Sequence, residues 1–87
     1  MSYRIDLPPK VRKVLDELDE KTFRKIDAEI LRLKEGPRHP GAVKLERNIF
    51  RVRAGGWRIL YAVFDDDRLI QIVRVARRSE KTYRRLP

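Results

Sequence analysis

An α+β fold is predicted for this 87-residue chain by three observations. Apolar residues recur at helical spacing in the first half, runs of two-residue alternation fill the second, and one Pro/Gly-rich stretch, Gly36-Pro37-Arg38-His39-Pro40-Gly41, separates them. The expected order is a short N-terminal strand, a two-helix hairpin, an antiparallel meander and a short C-terminal helical tail. All of it is expected in a single domain, residues 1–87.

Residues 3–7 alternate apolar and polar, as a strand with one buried face does, and Pro8-Pro9 ends the run. Val11, Val14, Leu15 and Leu18 then fall at i, i+3, i+4 and i+7, so a helix starts near Pro9, where proline is tolerated in the first turn. After a break near Asp19-Glu20, Phe23, Ile26, Ile30 and Leu33 form a second stripe that runs to about Glu35 and stops at Gly36-Pro37. Neither stripe is stable alone in water, so both helices need a sheet or each other. Val43-Lys44-Leu45 reads as a short strand, and residues 49–53 alternate more cleanly. Ala54-Gly55-Gly56 supplies a hairpin turn, because glycine reaches positive φ without a Cβ clash. Residues 57–64 are almost continuously apolar or aromatic, the pattern of a central strand covered on both faces. Asp65-Asp66-Asp67 is a turn, residues 68–76 a further strand through Leu69, Ile70, Ile72, Val73 and Val75, and residues 79–85 one or two helical turns.

The charge count is 22 Lys and Arg against 13 Asp and Glu, a formal +9. Residues 1–43 hold 10 basic and 8 acidic side chains, net +2; residues 44–87 hold 12 and 5, net +7, and ten of those 12 are Arg. A field this positive meets a polyanion or an acidic protein, and arginine's planar fork fits phosphate bidentately. Cysteine is absent, which removes disulfides, thiolate nucleophiles and thiolate zinc sites. Residues 1–10 lack a signal-peptide apolar run and no stretch approaches the roughly 20 apolar residues of a membrane span, so a cytoplasmic chain with no membrane partner is expected.

In an extended strand Arg51 and Arg53 share a face, about 7 Å apart, while Phe50 and Val52 take the other. Arg58, across the glycine turn, is the lone charge in its apolar run. Arg77 and Arg78 close the last strand, and Tyr83 follows. If these converge, several guanidinium groups and one phenol surround a single anion. Alternation of this kind also describes the wet face of a sheet, Arg58 could pair with Asp65, Asp66 or Asp67, and Tyr83 could pack a docked tail. His39, the single histidine, reads as a solvated loop residue. With one histidine and no cysteine, no metal site of the usual imidazole or thiolate kind is expected, and there is no Gly-rich phosphate loop with its lysine; no cofactor is expected. The acidic run at Asp65 to Asp67 reads as a surface turn more readily than as a cation site.

Lys44-Leu45, Phe50-Arg51-Val52-Arg53, Gly56-Trp57-Arg58-Ile59-Leu60-Tyr61 and Arg77-Arg78-Ser79-Glu80-Lys81-Thr82-Tyr83, in this order and spacing, resemble the RelE/ParE toxin superfamily of type II toxin-antitoxin systems. The resemblance covers essentially the whole chain and implies a RelE-like βααβββ(β) fold. It further implies a ribosome-dependent endoribonuclease that cuts mRNA in the ribosomal A site and blocks translation. On that resemblance Arg51, Arg53, Arg58, Arg77 and Tyr83 are the catalytic set, a one-residue slip exchanging Arg77 for Arg78, and Lys44, Arg78 and Lys81 are RNA contacts. Well-studied members place lysine where this chain has Arg51 and Arg53, and a guanidinium with a pKa above about 12 is a poor general base. The expected partners are a cognate acidic antitoxin, the ribosome and mRNA. A ParE-like branch of the same fold inhibits DNA gyrase without catalysis, and a basic nucleic-acid-binding module is a third reading.

Overall fold

The computed structural model describes residues 2–77. Along them run β1 (Arg4–Asp6), α1 (Pro9–Asp16), α2 (Glu20–Glu35), β2 (Val43–Glu46), β3 (Ile49–Ala54), β4 (Trp57–Phe64) and β5 (Leu69–Arg77). The strands form one sheet in the order β1-β5-β4-β3-β2. β1 runs parallel to β5, and every other pairing is antiparallel. The helical hairpin therefore carries the chain from one edge of the sheet to the other. At the parallel junction Asp6 faces Gln71, and Gln71 Nε2 donates to Asp6 Oδ2 at 3.0 Å. The expected C-terminal helical tail lies outside the described residues.

Pro9 opens α1 at a position whose N–H would have no helical partner, and Val11 and Leu15 turn inward. α2 buries Ile26, Ile30 and Leu33, and Arg32 and Lys34 in its last turn suit the negative end of the helix dipole. Phe23, expected in the same stripe, is 39 % exposed: it stands in the first turn of α2, and the apolar face closes only from Ile26 onward. The helices meet one face of the sheet. There Phe50, Val52 and Ala54 of β3, Ile59, Tyr61 and Val63 of β4, and Ile70, Ile72 and Val75 of β5 complete the core.

β4 is central, as expected, but among the described residues the helices cover only one of its faces. Its run looks continuously apolar because Leu60, Ala62 and Phe64 add an apolar strip to the second face. Two irregularities interrupt the ladders. Leu45 is an extra residue in edge strand β2, and Val73 is an extra residue in β5, since Leu60 faces Arg74 while Tyr61 faces Ile72.

The Pro/Gly stretch is pinned at three points. The Tyr61 hydroxyl, wholly buried, donates to the Pro37 carbonyl. Arg38 forms a two-pronged bond to Asp65, at 3.1 and 2.7 Å, and lies 5.4 Å from the centre of the Phe50 ring. His39 Nδ1 accepts the Gly41 N–H at 3.0 Å, so the neutral ring carries its proton on Nε2, which lies 3.3 Å from Glu29 Oε1. Asp65 also accepts the Tyr3 hydroxyl at 2.7 Å. Of the acidic turn, Asp65 is thus taken by Arg38 and Tyr3, and β1, the Pro/Gly loop and the β4–β5 turn are joined through one carboxylate.

The Arg38 hydrogen bond, followed by that from Tyr3, holds the Asp65 carboxyl below the usual carboxylate range. A carboxyl whose folded pKa lies below its unfolded value adds stability above the unfolded pKa of about 3.9 and loses it as pH falls through the folded one. Urea midpoints measured across the acid range should therefore decline more steeply in the wild type than in Asp65→Asn. Parallel declines would show that the carboxylate does not sense the fold.

Candidate functional site

The two-residue turn Gly55-Gly56 fixes the register of the central hairpin. Gly55 takes φ +62°, and Ala54 faces Trp57, which sets Arg53 directly opposite Arg58 and Arg51 opposite Leu60. Residues aligned across neighbouring strands share a face, so Arg51, Arg53 and Arg58 stand together on the face away from the helices. Arg58 is 8 % exposed, Arg51 is half-buried and Arg53 is exposed. Extending the rows to β5 adds Arg74 opposite Leu60 and Ala76 opposite Arg58. At about 4.8 Å between strands and about 7 Å between alternate residues, four arginine backbones occupy a patch roughly 10 Å across.

Like charges directly opposite on a sheet destabilise it. Arg53 and Arg58 are such a pair by register. Arg53→Glu, which sets a carboxylate across from Arg58, is expected to raise stability by about 0.2–1 kcal/mol in urea unfolding. A lowered midpoint would show that the opposition is already relieved.

Arg51 and Arg53 also line a cleft of about 330 Å³ with Glu29, Arg32, His39, Gly41, Val43 and Val52. It forms because the β2–β3 pairing reaches only as far as Val43 and Arg51, leaving the edge of β3 open beside α2. His39, expected as a solvated loop residue, is instead largely buried close to the arginine face; its Nδ1 accepts from Gly41, and its Nε2 lies near Glu29 without a hydrogen bond. Among the described residues no group of three or more His, Asp or Glu side chains is placed to hold a metal ion. No described helix is long and apolar enough to cross a membrane.

The remaining candidates are placed elsewhere. Arg77 faces Trp57 across the β4–β5 ladder, its guanidinium 5.5 Å from the centre of the Trp57 ring, on the face that carries Ile59 and Val75. Lys44 faces Phe50 and so lies on the helix side of edge strand β2. Arg78, Lys81 and Tyr83 lie outside the described residues. Sequence reasoning passed over Arg74. No signal in the sequence marks it, because Val73 and Val75 are alike in type and only their burial differs: Val75 is 6 % exposed and Val73 48 %.

A helix layer thus covers one side of a mixed sheet, and arginines gather on the other. The family model described as the ParE toxin of the type II toxin-antitoxin system parDE matches residues 5–82. The chain belongs to the RelE/ParE superfamily of type II toxins, with their α+β fold. It is 30 % identical over 84 residues to RelE1 of Methanocaldococcus jannaschii, covering 91 % of this chain and 93 % of that one. The archaeal RelE of the RelE–RelB complex from Pyrococcus horikoshii superposes with a TM-score of 0.81 at 28 % identity, covering 92 % of this chain and 99 % of that chain. The isolated RelE toxin of E. coli gives a TM-score of 0.78 at 16 % identity, covering 95 % and 93 %, which speaks to the fold alone.

Proposed function

We propose that this toxin is a RelE-like endoribonuclease that enters the ribosomal A site and cuts mRNA there, halting translation in the cytoplasm. The observation that carries the reading is the register of the central hairpin, which sets Arg53 directly opposite Arg58 with Arg51 beside them on one face, three guanidinium-bearing positions within reach of a single phosphodiester. The similarity to RelE1 and to the archaeal RelE supports the same branch.

In the proposed reaction the RNA 2′-oxygen attacks the adjacent 3′-phosphorus. The P–O2′ bond forms as the P–O5′ bond breaks, the 2′-hydroxyl gives up its proton and the 5′-oxygen takes one. The products are a 2′,3′-cyclic phosphate and a 5′-hydroxyl end. The substrate supplies its own nucleophile, so the protein's task is to meet charge as it builds on the non-bridging oxygens. Arg51, Arg53 and Arg58 are assigned that task, the preorganised stabilisation that often dominates such rates. Arg77 is assigned the leaving oxygen by resemblance, and to reach it the side chain must leave Trp57. Tyr83 is assigned stacking or orientation of a base beside the cut, and Lys44, Arg78 and Lys81 contacts along the RNA. Guanidinium groups are poor proton acceptors, so the ribosome's ordering of the substrate carries weight in this scheme.

A cognate acidic antitoxin is the proposed partner, as RelB is for the archaeal RelE, and +9 would speed its encounter electrostatically. A second reading, ParE-like inhibition of gyrase, is favoured by the description of the matching family model. One experiment separates the two. The purified toxin is added to a translating extract and mRNA 5′ ends are mapped by primer extension, while gyrase supercoiling is assayed in parallel. Cuts within translated codons, suppressed by the antitoxin, are expected; inhibited supercoiling with intact mRNA would overturn the nuclease reading.

A further inference from the structure

The bulge in β5 decides which of its arginines joins the cluster. Tyr61 faces Ile72, and unbroken pairing would next set Leu60 against Val73, Ile59 against Arg74 and Arg58 against Val75. That register would drive Arg74 into the core and turn Val75 outward. Instead Val73 is the extra residue: Arg74 faces Leu60, Val75 faces Ile59 and is 6 % exposed, and Arg77 faces Trp57 on the helix side. One inserted residue brings Arg74 onto the arginine face and takes Arg77 off it, the re-aiming that bulges beside functional sites perform.

The consequence is an ordered surround. Arg51 and Arg74 flank Leu60 in one row, each one strand away, and Arg58 lies two residues along β4 on the same face. Leu60, half-buried, makes an apolar floor that offers no competing acceptor and limits water beneath an anion. Arginines on three strands thus stand within side-chain reach of an anion over Leu60, Arg74 from the strand edge where it also lines a cleft with Lys10, Val11 and Val14 of α1.

We propose that Arg74 is a phosphate-binding residue of this toxin, gripping the RNA backbone at the cut from the β5 side, the position the resemblance gives to Arg77. The proposal rests on the nuclease reading for its cleavage arm and on geometry alone for its binding arm.

The test compares Arg74→Ala, Arg74→Lys, Arg74→Gln and Arg77→Ala with the wild type, each checked for an unchanged thermal midpoint. The first readout is single-turnover mRNA cleavage in the translating extract. The second is the salt dependence of binding to an uncleavable single-stranded oligonucleotide carrying a 2′-deoxy sugar at the cut. Arg74→Ala and Arg74→Gln should cleave at least about tenfold more slowly, with partial recovery in Arg74→Lys and a smaller loss in Arg77→Ala. Their slope of log affinity against log salt should shrink by about 0.7, the loss of one phosphate contact on a single strand. Wild-type rate and slope in both neutral variants would overturn the proposal. A wild type that cuts no mRNA would sink the nuclease reading instead, and the oligonucleotide slope would still decide Arg74.

Discussion

Arg58→Ala is expected to slow mRNA cleavage by about 10²–10³-fold, the cost of deleting one preorganised donor from an oxyanion-type site. Three features make it the largest single loss on the arginine face. Its backbone lies in the central strand, where pairing on both sides fixes its position. At 8 % exposure its charge sits in a poorly solvated setting, where Coulomb interactions are screened less than at the exposed Arg53. It is also central to the patch, opposite Arg53 on one side and Ala76 on the other. Arg58→Lys keeps the charge but not the planar fork and should recover only part of the rate. Single-turnover cleavage on translating ribosomes, with a thermal midpoint to confirm folding, is the measurement. A folded Arg58→Ala protein cutting at the wild-type rate would remove the arginine face from the chemistry.

Tyr61→Phe is expected to cost about 1–3 kcal/mol, because the Pro37 carbonyl would lose its buried donor while the ring kept its place. The ring stacks on Phe50 with centroids 5.8 Å apart, so apolar packing survives the change and the loss reports on the hydroxyl. For a chain of this size each kcal/mol moves the thermal midpoint by about 4–8 °C. Burial pushes the Tyr61 hydroxyl up to about 12. An acid whose folded pKa exceeds its unfolded value of about 10 contributes fully below the unfolded pKa and loses that contribution as pH rises through the folded one. Alkaline unfolding should accordingly be steeper in the wild type than in Tyr61→Phe, and equal thermal midpoints would show that Pro37 finds another donor.

The central hairpin was legible because its logic is local. Alternation assigns Arg51 and Arg53 to one face and the glycines put Arg58 just across the turn, but the turn was read as Ala54-Gly55-Gly56; because Ala54 stays in β3 facing Trp57, the turn is two residues long and Arg53 falls directly opposite Arg58. The buried faces of both helices were legible by periodicity, Phe23 excepted, because a stripe states which residues are alike and not where the layer above them ends. The placement of Arg74 and Arg77 was not read, since alternation counted straight through Val73 misses a bulge created by pairing with β4. Nor was the parallel seat of β1 or the joining of Arg38 to Asp65, 27 positions apart, because partners distant in sequence leave no periodic mark.

The parallel seam between β1 and β5 also orders events in time. During synthesis Gln71, which pairs with Asp6, is added 65 positions after it. At elongation rates of about 5–20 residues per second that is a wait of roughly 3–13 s. Until β5 is made, the helical hairpin has no completed meander to rest on, and the nascent polypeptide lacks the scaffold that aligns its guanidinium row.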